Sequence, residues 1–140
     1  MQDLFTKQLI FEIEFWKRIL DAMENEIVFM KGRMSQILKE YPDNSLLNAI
    51  EQYLNSLLVQ DKLIQIFRND LEKQSVQLKK MDKDTKQLKD KLKQHKKFRK
   101  EIETTRLQFE KMSAEFYAFF CEKFFDKANS TEGFTSSIIH

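Results

Sequence analysis

Two glycines and one proline in 140 residues leave little material for tight turns. Such scarcity excludes a sheet-rich fold with many hairpins and favours long helices. A single cysteine, Cys121, excludes an internal disulfide framework and any Cys-based zinc site. Two histidines, His95 and His140, provide too little for a His-rich metal centre or a conventional catalytic triad. With glycine only at positions 32 and 133, no Gly-rich phosphate loop forms. Long apolar runs are missing as well: a stretch such as 116–121 falls far short of the roughly 20 residues that a membrane-spanning helix requires. The opening Met1-Gln2-Asp3-Leu4-Phe5 carries an acid where a signal peptide wants Lys or Arg. The expectation is one soluble, cytoplasmic domain.

The charge that is present is unevenly spread. The formal total is +2, yet residues 1–78 carry −3, residues 79–101 carry +7 and residues 102–140 carry −2. One basic segment therefore lies between two mildly acidic arms.

The strongest positive signal is hydrophobic periodicity. Leu9, Ile13, Trp16, Leu20, Met23, Ile27, Met30, Met34, Ile37 and Tyr41 are spaced alternately by four and three, and all are apolar. That is an unbroken heptad seam along one long helix. A partial second stripe of Phe15, Ile19, Ala22 and Phe29 widens the face expected to be buried, so that this helix touches two neighbours. Gly32 inside the pattern costs about 1 kcal/mol against Ala, and its lack of a side chain permits a close helix approach.

Tyr41-Pro42-Asp43-Asn44-Ser45 ends this helix, since proline disfavours helix at the residue before it. Asn44 or Ser45 then caps a second helix, whose seam runs Leu46 or Leu47, Ile50, Tyr53 or Leu54, Leu57, Ile64, Phe67, Leu71 and Leu78. Gln60 and Gln74 interrupt it. A short loop between two long amphipathic helices makes them antiparallel neighbours.

Beyond Leu78 two readings stand. Leu78, Met81, Leu88 and Leu92 keep heptad phase, which allows one helix over 45–127, on the order of 120 Å long. Alternatively the chain turns near Met81-Asp82-Lys83-Asp84, with Asp84 and Gln87 forming a capping box for a third helix. The turn divides residues 1–128 into helices of nearly equal length, about 3–40, 45–80 and 85–127, which cover one another end to end. The expected fold is all-α: an antiparallel three-helix bundle of long, coiled-coil-like helices. Residues 129–140, rich in Ser and Thr, form a loosely ordered tail.

Two blocks of residues resemble a group of short, uncharacterised helical proteins from Bacteroidota. The first is Trp16, Leu20, Ile27, Met30, Arg33 and Met34 with their spacing. The second is Ile50-Glu51-Gln52-Tyr53, Asn55 and Leu57-Leu58-Val59-Gln60, in which Glu51, Asn55 and Gln60 are not demanded by a heptad. The resemblance implies three helices, with a proline-containing break between the second and third that this chain lacks near residues 80–86. It implies no activity.

Candidate chemistry is sparse. Di-iron helical bundles need Glu-x-x-His pairs, and none occurs, the residue three before His95 being Leu92. No metal or cofactor is expected, and His95 reads as a partly wet histidine at the edge of the seam. Cys121, within Phe119-Phe120-Cys121-Glu122-Lys123-Phe124-Phe125, reads as a packed core thiol of low reactivity. Lys86, Lys89, Lys93, Lys96, Lys97 and Lys100 recur along one broad helix face able to track phosphates, with only Phe98 to stack on bases. The plainer reading is a solvated face, or pairing with Glu12 and Glu14 of the parallel first helix. Residues 1–40 hold six basic and seven acidic side chains, the wrong balance for an anionic lipid surface.

Thirteen phenylalanines exceed what a thin bundle readily hides. The aromatic end of the third helix, Phe116, Phe119, Phe120 and Phe124, is therefore the expected surface for self-association or a protein partner. The chain is expected to be a non-enzymatic scaffold or adaptor with no small-molecule substrate. Nucleic-acid binding through residues 79–101 is the alternative.

Overall fold

The computed structural model describes residues 4–40, 44–81 and 85–131, the side chains of Thr85 and of residues 123–131 excepted. It is all-helical: α1 (Leu4–Glu40), α2 (Asn44–Lys80) and α3 (Thr85–Thr131) form a three-helix bundle, with no strand among the described residues. The α1 and α2 helices have 37 residues each, about 55 Å of rise. The chain groups into two compact units, Met1–Arg106 and Leu107–His140, the boundary falling within α3.

In the first unit the cross-helix pairs set directions and register. Lys17 meets Glu72 at 2.6 Å, Arg68 meets Asp21 at 2.7 Å and Glu24 at 2.6 Å, and Lys31 meets Asp61 at 3.7 Å. As α1 numbers rise the α2 numbers fall, so the two helices are antiparallel. Gln74 Nε2 donates to Gln94 Oε1 at 2.5 Å, and Lys91 donates to Gln77, so α3 reverses against α2 in turn. The chain therefore bends between α2 and α3, and the single helix over 45–127 is excluded. The Met81 amide reaches back to the Leu78 carbonyl at 3.4 Å as α2 ends. Asp84 of the expected capping box lies outside the described residues, as do Tyr41, Pro42 and residues 132–140.

The core follows the heptads. Leu9, Ile13, Trp16, Leu20, Met23, Ile27, Met30, Met34 and Ile37 of α1 are all buried. They face Leu46, Ile50, Leu57, Ile64, Phe67, Leu71 and Leu78 of α2 and the buried side of α3 within the same unit. Ser75, rather than Gln74, keeps the α2 rhythm between Leu71 and Leu78 and is buried, whereas Gln74 turns its amide outward to Gln94. Among the described residues four polar ones, Thr6, Ser75, His95 and Thr105, are buried in seam phase.

Three expectations are corrected by this packing. Phe15, Ala22 and Phe29 do not widen the core: all are exposed, and only Ile19 among that stripe is half-buried. The reason is angular. At 100° per residue those three positions lie roughly 130° around the helix from the seam, too far to turn toward either neighbour. Cys121 is exposed, because Phe116 and Phe120 take the inward positions of its turn and leave it a full step away. At Gly32 no atom of another residue stands where a side chain would begin, so this glycine serves no close helix approach.

Candidate interaction surfaces

One polar cluster is built into the first unit's core. His95 of α3, only 3% exposed, lies against Trp16 of α1 with ring centroids 4.6 Å apart. Its Nε2 meets Glu12 Oε1, and Arg99 Nη2 donates to the same oxygen at 2.7 Å. A carboxylate only accepts, so the imidazole carries a proton on Nε2. Burial pushes the His95 pKa below its ordinary value; the hydrogen bond and charge of Glu12 oppose this without cancelling it, and Arg99 adds to the depression. Burial acts to raise the Glu12 pKa, yet hydrogen bonds from Arg99 and His95 together hold it below the usual carboxylate range. His95 is thus a buried, partnered core histidine, not the partly wet edge residue the sequence implies. Glu12 pairs with the 93–100 stretch as expected, through Arg99 and His95, whereas Glu14 meets Lys17 of its own helix at 3.5 Å. This constellation holds α1 to α3 but lacks a nucleophile, and among the described residues no group of three or more His, Cys, Asp or Glu is placed to hold a metal ion.

All six lysines of the basic segment, Lys86, Lys89, Lys93, Lys96, Lys97 and Lys100, are exposed. They fall within an arc of roughly 100° on the side of α3 turned away from buried His95 and Ile102. Lys97 approaches Glu101 of its own helix at 3.9 Å. Next to this face, an open groove of about 400 Å3 between α2 and α3 is lined by Asp70, Lys73, Gln74, Gln77, Lys91 and Gln94. Both charge signs line it, which gives it no preference for anion or cation.

The expected aromatic end is mostly interior. Phe116 is 1% and Phe120 5% exposed, Phe119 is half-buried, and the side chain of Phe124 lies outside the described residues. Phe116, Tyr117, Phe119 and Phe120 stack on one another at centroid distances of 4.8–5.0 Å. Phe116 and Phe120 are core side chains, withdrawn from the surface by the same heptad phase that places Phe109 inside.

Among the described residues the exposed phenylalanines lie on α1 instead. Leu4, Phe11, Phe15 and Phe29 are 72%, 76%, 54% and 54% exposed. They belong to a second series, Leu4, Gln8, Phe11, Phe15, Arg18, Ala22, Asn25 and Phe29, with the same alternation of four and three, and every member is exposed. The Arg33 guanidinium lies 5.9 Å over the Phe29 ring. A three-helix bundle gives α1 two neighbours on its inner side and leaves this outer seam facing solvent. The signal was in the sequence, as a second heptad out of phase with the first. Its polar members, Gln8, Arg18 and Asn25, hide it from any search for unbroken apolar spacing.

Among the described residues no helix is long and apolar enough to cross a membrane. No protein-family model, curated protein or solved structure matches the chain.

Proposed function

We propose that this protein is a non-enzymatic helical scaffold that works by protein–protein contact, and that its contact surface is the outer face of α1. The observation that carries this reading is the row of Leu4, Phe11, Phe15 and Phe29, exposed and in register along about 38 Å of helix. Apolar side chains scattered singly over a surface are ordinary; an aligned row of aromatics is the kind of patch that partner helices cover. The burial of Phe116 and Phe120 gives the aromatic end of α3 less support as the contact surface. The test is capture from native lysate with wild-type protein and Phe11→Asp/Phe15→Asp as baits, each treated with nuclease. The reading expects nuclease-resistant capture or self-capture by wild type that the variant loses. Equal recovery by both baits would contradict it.

A second reading, polyanion binding by the outer face of α3, is favoured by the six exposed lysines in one arc. It expects affinity for duplex DNA or RNA to fall steeply with salt and without regard to sequence. Unchanged binding in Lys93→Glu/Lys97→Glu would dispose of it.

A further inference from the structure

The outer seam of α1 is self-complementary. Its eight members follow the spacing 4, 3, 4, 3, 4, 3, 4, which reads the same in both directions. We propose that the occupant of this face is α1 of a second copy, laid antiparallel about a two-fold axis between residues 16 and 17, an inference that rests on the interaction reading above. In that register each position i faces position 33 − i of the partner. Leu4 meets Phe29, Gln8 meets Asn25, Phe11 meets Ala22 and Phe15 meets Arg18, and the two-fold axis repeats all four pairs. Apolar thus faces apolar, amide faces amide, and the largest rings face the smallest side chain or a guanidinium.

The charges select this direction over the alternative. A parallel pair would set Arg18 against Arg18 in the middle of the contact, a like-charge encounter at a seam position. In the antiparallel pair Arg18 lies over Phe15, the same kind of contact that Arg33 makes with Phe29 within the chain. It also comes within reach of the acidic Glu14 beside that ring. Asp21, which also flanks the seam, is already hydrogen-bonded to Arg68 at 2.7 Å, which offsets the acid that two copies bring together. Leu4, Phe11, Phe15 and Phe29 expose on the order of 500 Å2 of apolar side chain per copy, taking a phenylalanine at roughly 200 Å2. A standard interface covers about 800 Å2 per partner. Gln8, Arg18, Ala22 and Asn25, all exposed, provide the remainder. Isologous two-fold contacts are the commonest route to a closed dimer.

The test uses the full chain with Cys121→Ser as background. Sedimentation equilibrium over a concentration series is expected to give a mass rising to twice the 16.9 kDa of one chain. Gln8→Cys and Asn25→Cys, made separately, mixed and mildly oxidised, are expected to form a disulfide-linked pair. Neither alone should do so, since its own thiols would stand about 25 Å apart. Phe11→Asp/Phe15→Asp should remain monomeric with unchanged helicity. Should that variant fail to fold, Arg18→Glu, a single exposed change that sets acid against Glu14, should weaken association by about tenfold or more. Four results would overturn the proposal: a mass of one chain throughout, rapid cross-linking of Gln8→Cys with itself, undiminished association of Phe11→Asp/Phe15→Asp in folded form, or undiminished association of Arg18→Glu. A wild-type monomer whose capture of a lysate protein is lost in Phe11→Asp/Phe15→Asp would overturn the second copy and spare the interaction reading. A monomer whose capture is indifferent to that variant would overturn both.

Discussion

The α1 helix carries two seams with one rhythm and opposite fates. The inner seam, from Leu9 to Ile37, is buried at all nine of its described positions; the outer, from Leu4 to Phe29, is exposed at all eight. Spacing is therefore silent about which face a bundle covers. Composition decides it, because the inner seam is apolar throughout while the outer one interleaves Gln8, Arg18 and Asn25. Burying those three against an apolar neighbour would leave their polar groups without partners, at a cost of about 1–3 kcal/mol each. Facing solvent, or each other across a two-fold axis, they cost far less.

This contrast sets an order of effects. Trp16→Ala should be among the most damaging single changes, at about 3–5 kcal/mol by urea unfolding, since Trp16 is buried and stacks on His95. Loss of less than about 1 kcal/mol would mean that the inner layer repacks freely. A sharper comparison comes from two adjacent residues on opposite faces. Met30→Ala should cost about 2–5 kcal/mol, while Phe29→Ala, at a ring that is 54% exposed and lies under Arg33, should cost less than about 1 kcal/mol. Equal losses would erase the distinction between the seams.

The next effect is pH dependence at the α1–α3 contact. With the folded-state pKa of His95 depressed below its ordinary 6.5, the unfolded chain takes up that proton first. Stability is therefore full above about pH 6.5 and falls as the pH drops through and below that value. Glu12, held below 4.5, adds a further loss in stronger acid. Urea midpoints measured from pH 7 down to about pH 5 should decline for wild type and decline less for His95→Gln. A midpoint that rises on mild acidification would show that the charged imidazolium is the favoured form. The smallest effect is a gain: Gly32→Ala should stabilise by about 0.5–1 kcal/mol, because the position is helical and open. Destabilisation there would reveal a neighbour on the outer side of α1.

The helices were legible because their signals are redundant. The inner α1 seam, Pro42 and the polar Asn44-Ser45 ahead of the second seam locate α1 and α2 within a residue of Leu4–Glu40 and Asn44–Lys80, although Asn44 and Ser45, expected as caps, are the first two residues of α2. The turn before α3 was less legible because neither Pro nor Gly marks it. The α3 helix folds back so that His95, Ile102 and Thr105 are buried, and Gln74, Gln77, Lys91 and Gln94 pair across the hairpin, contacts that no local pattern announces. The exposure of the aromatic residues was illegible for the same reason. Counting phenylalanines points to 116–124, where they cluster, yet burial depends on phase, and phase turns Phe116 and Phe120 inward while turning Phe11 and Phe15 outward. His95 likewise sat at a seam position, but the partner that makes it tolerable there, Glu12, lies 83 residues away.

The division of labour between the two seams is tested most directly by urea unfolding of Leu20→Asp and Phe15→Asp side by side, followed by circular dichroism on dilute protein. Leu20→Asp, which buries a charge in the inner seam, should lose about 4–5 kcal/mol or more or fail to fold. Phe15→Asp should unfold within about 0.5 kcal/mol of wild type. If Phe15→Asp collapsed alongside Leu20→Asp, the outer face would be part of the core, and the proposed contact surface would be contradicted.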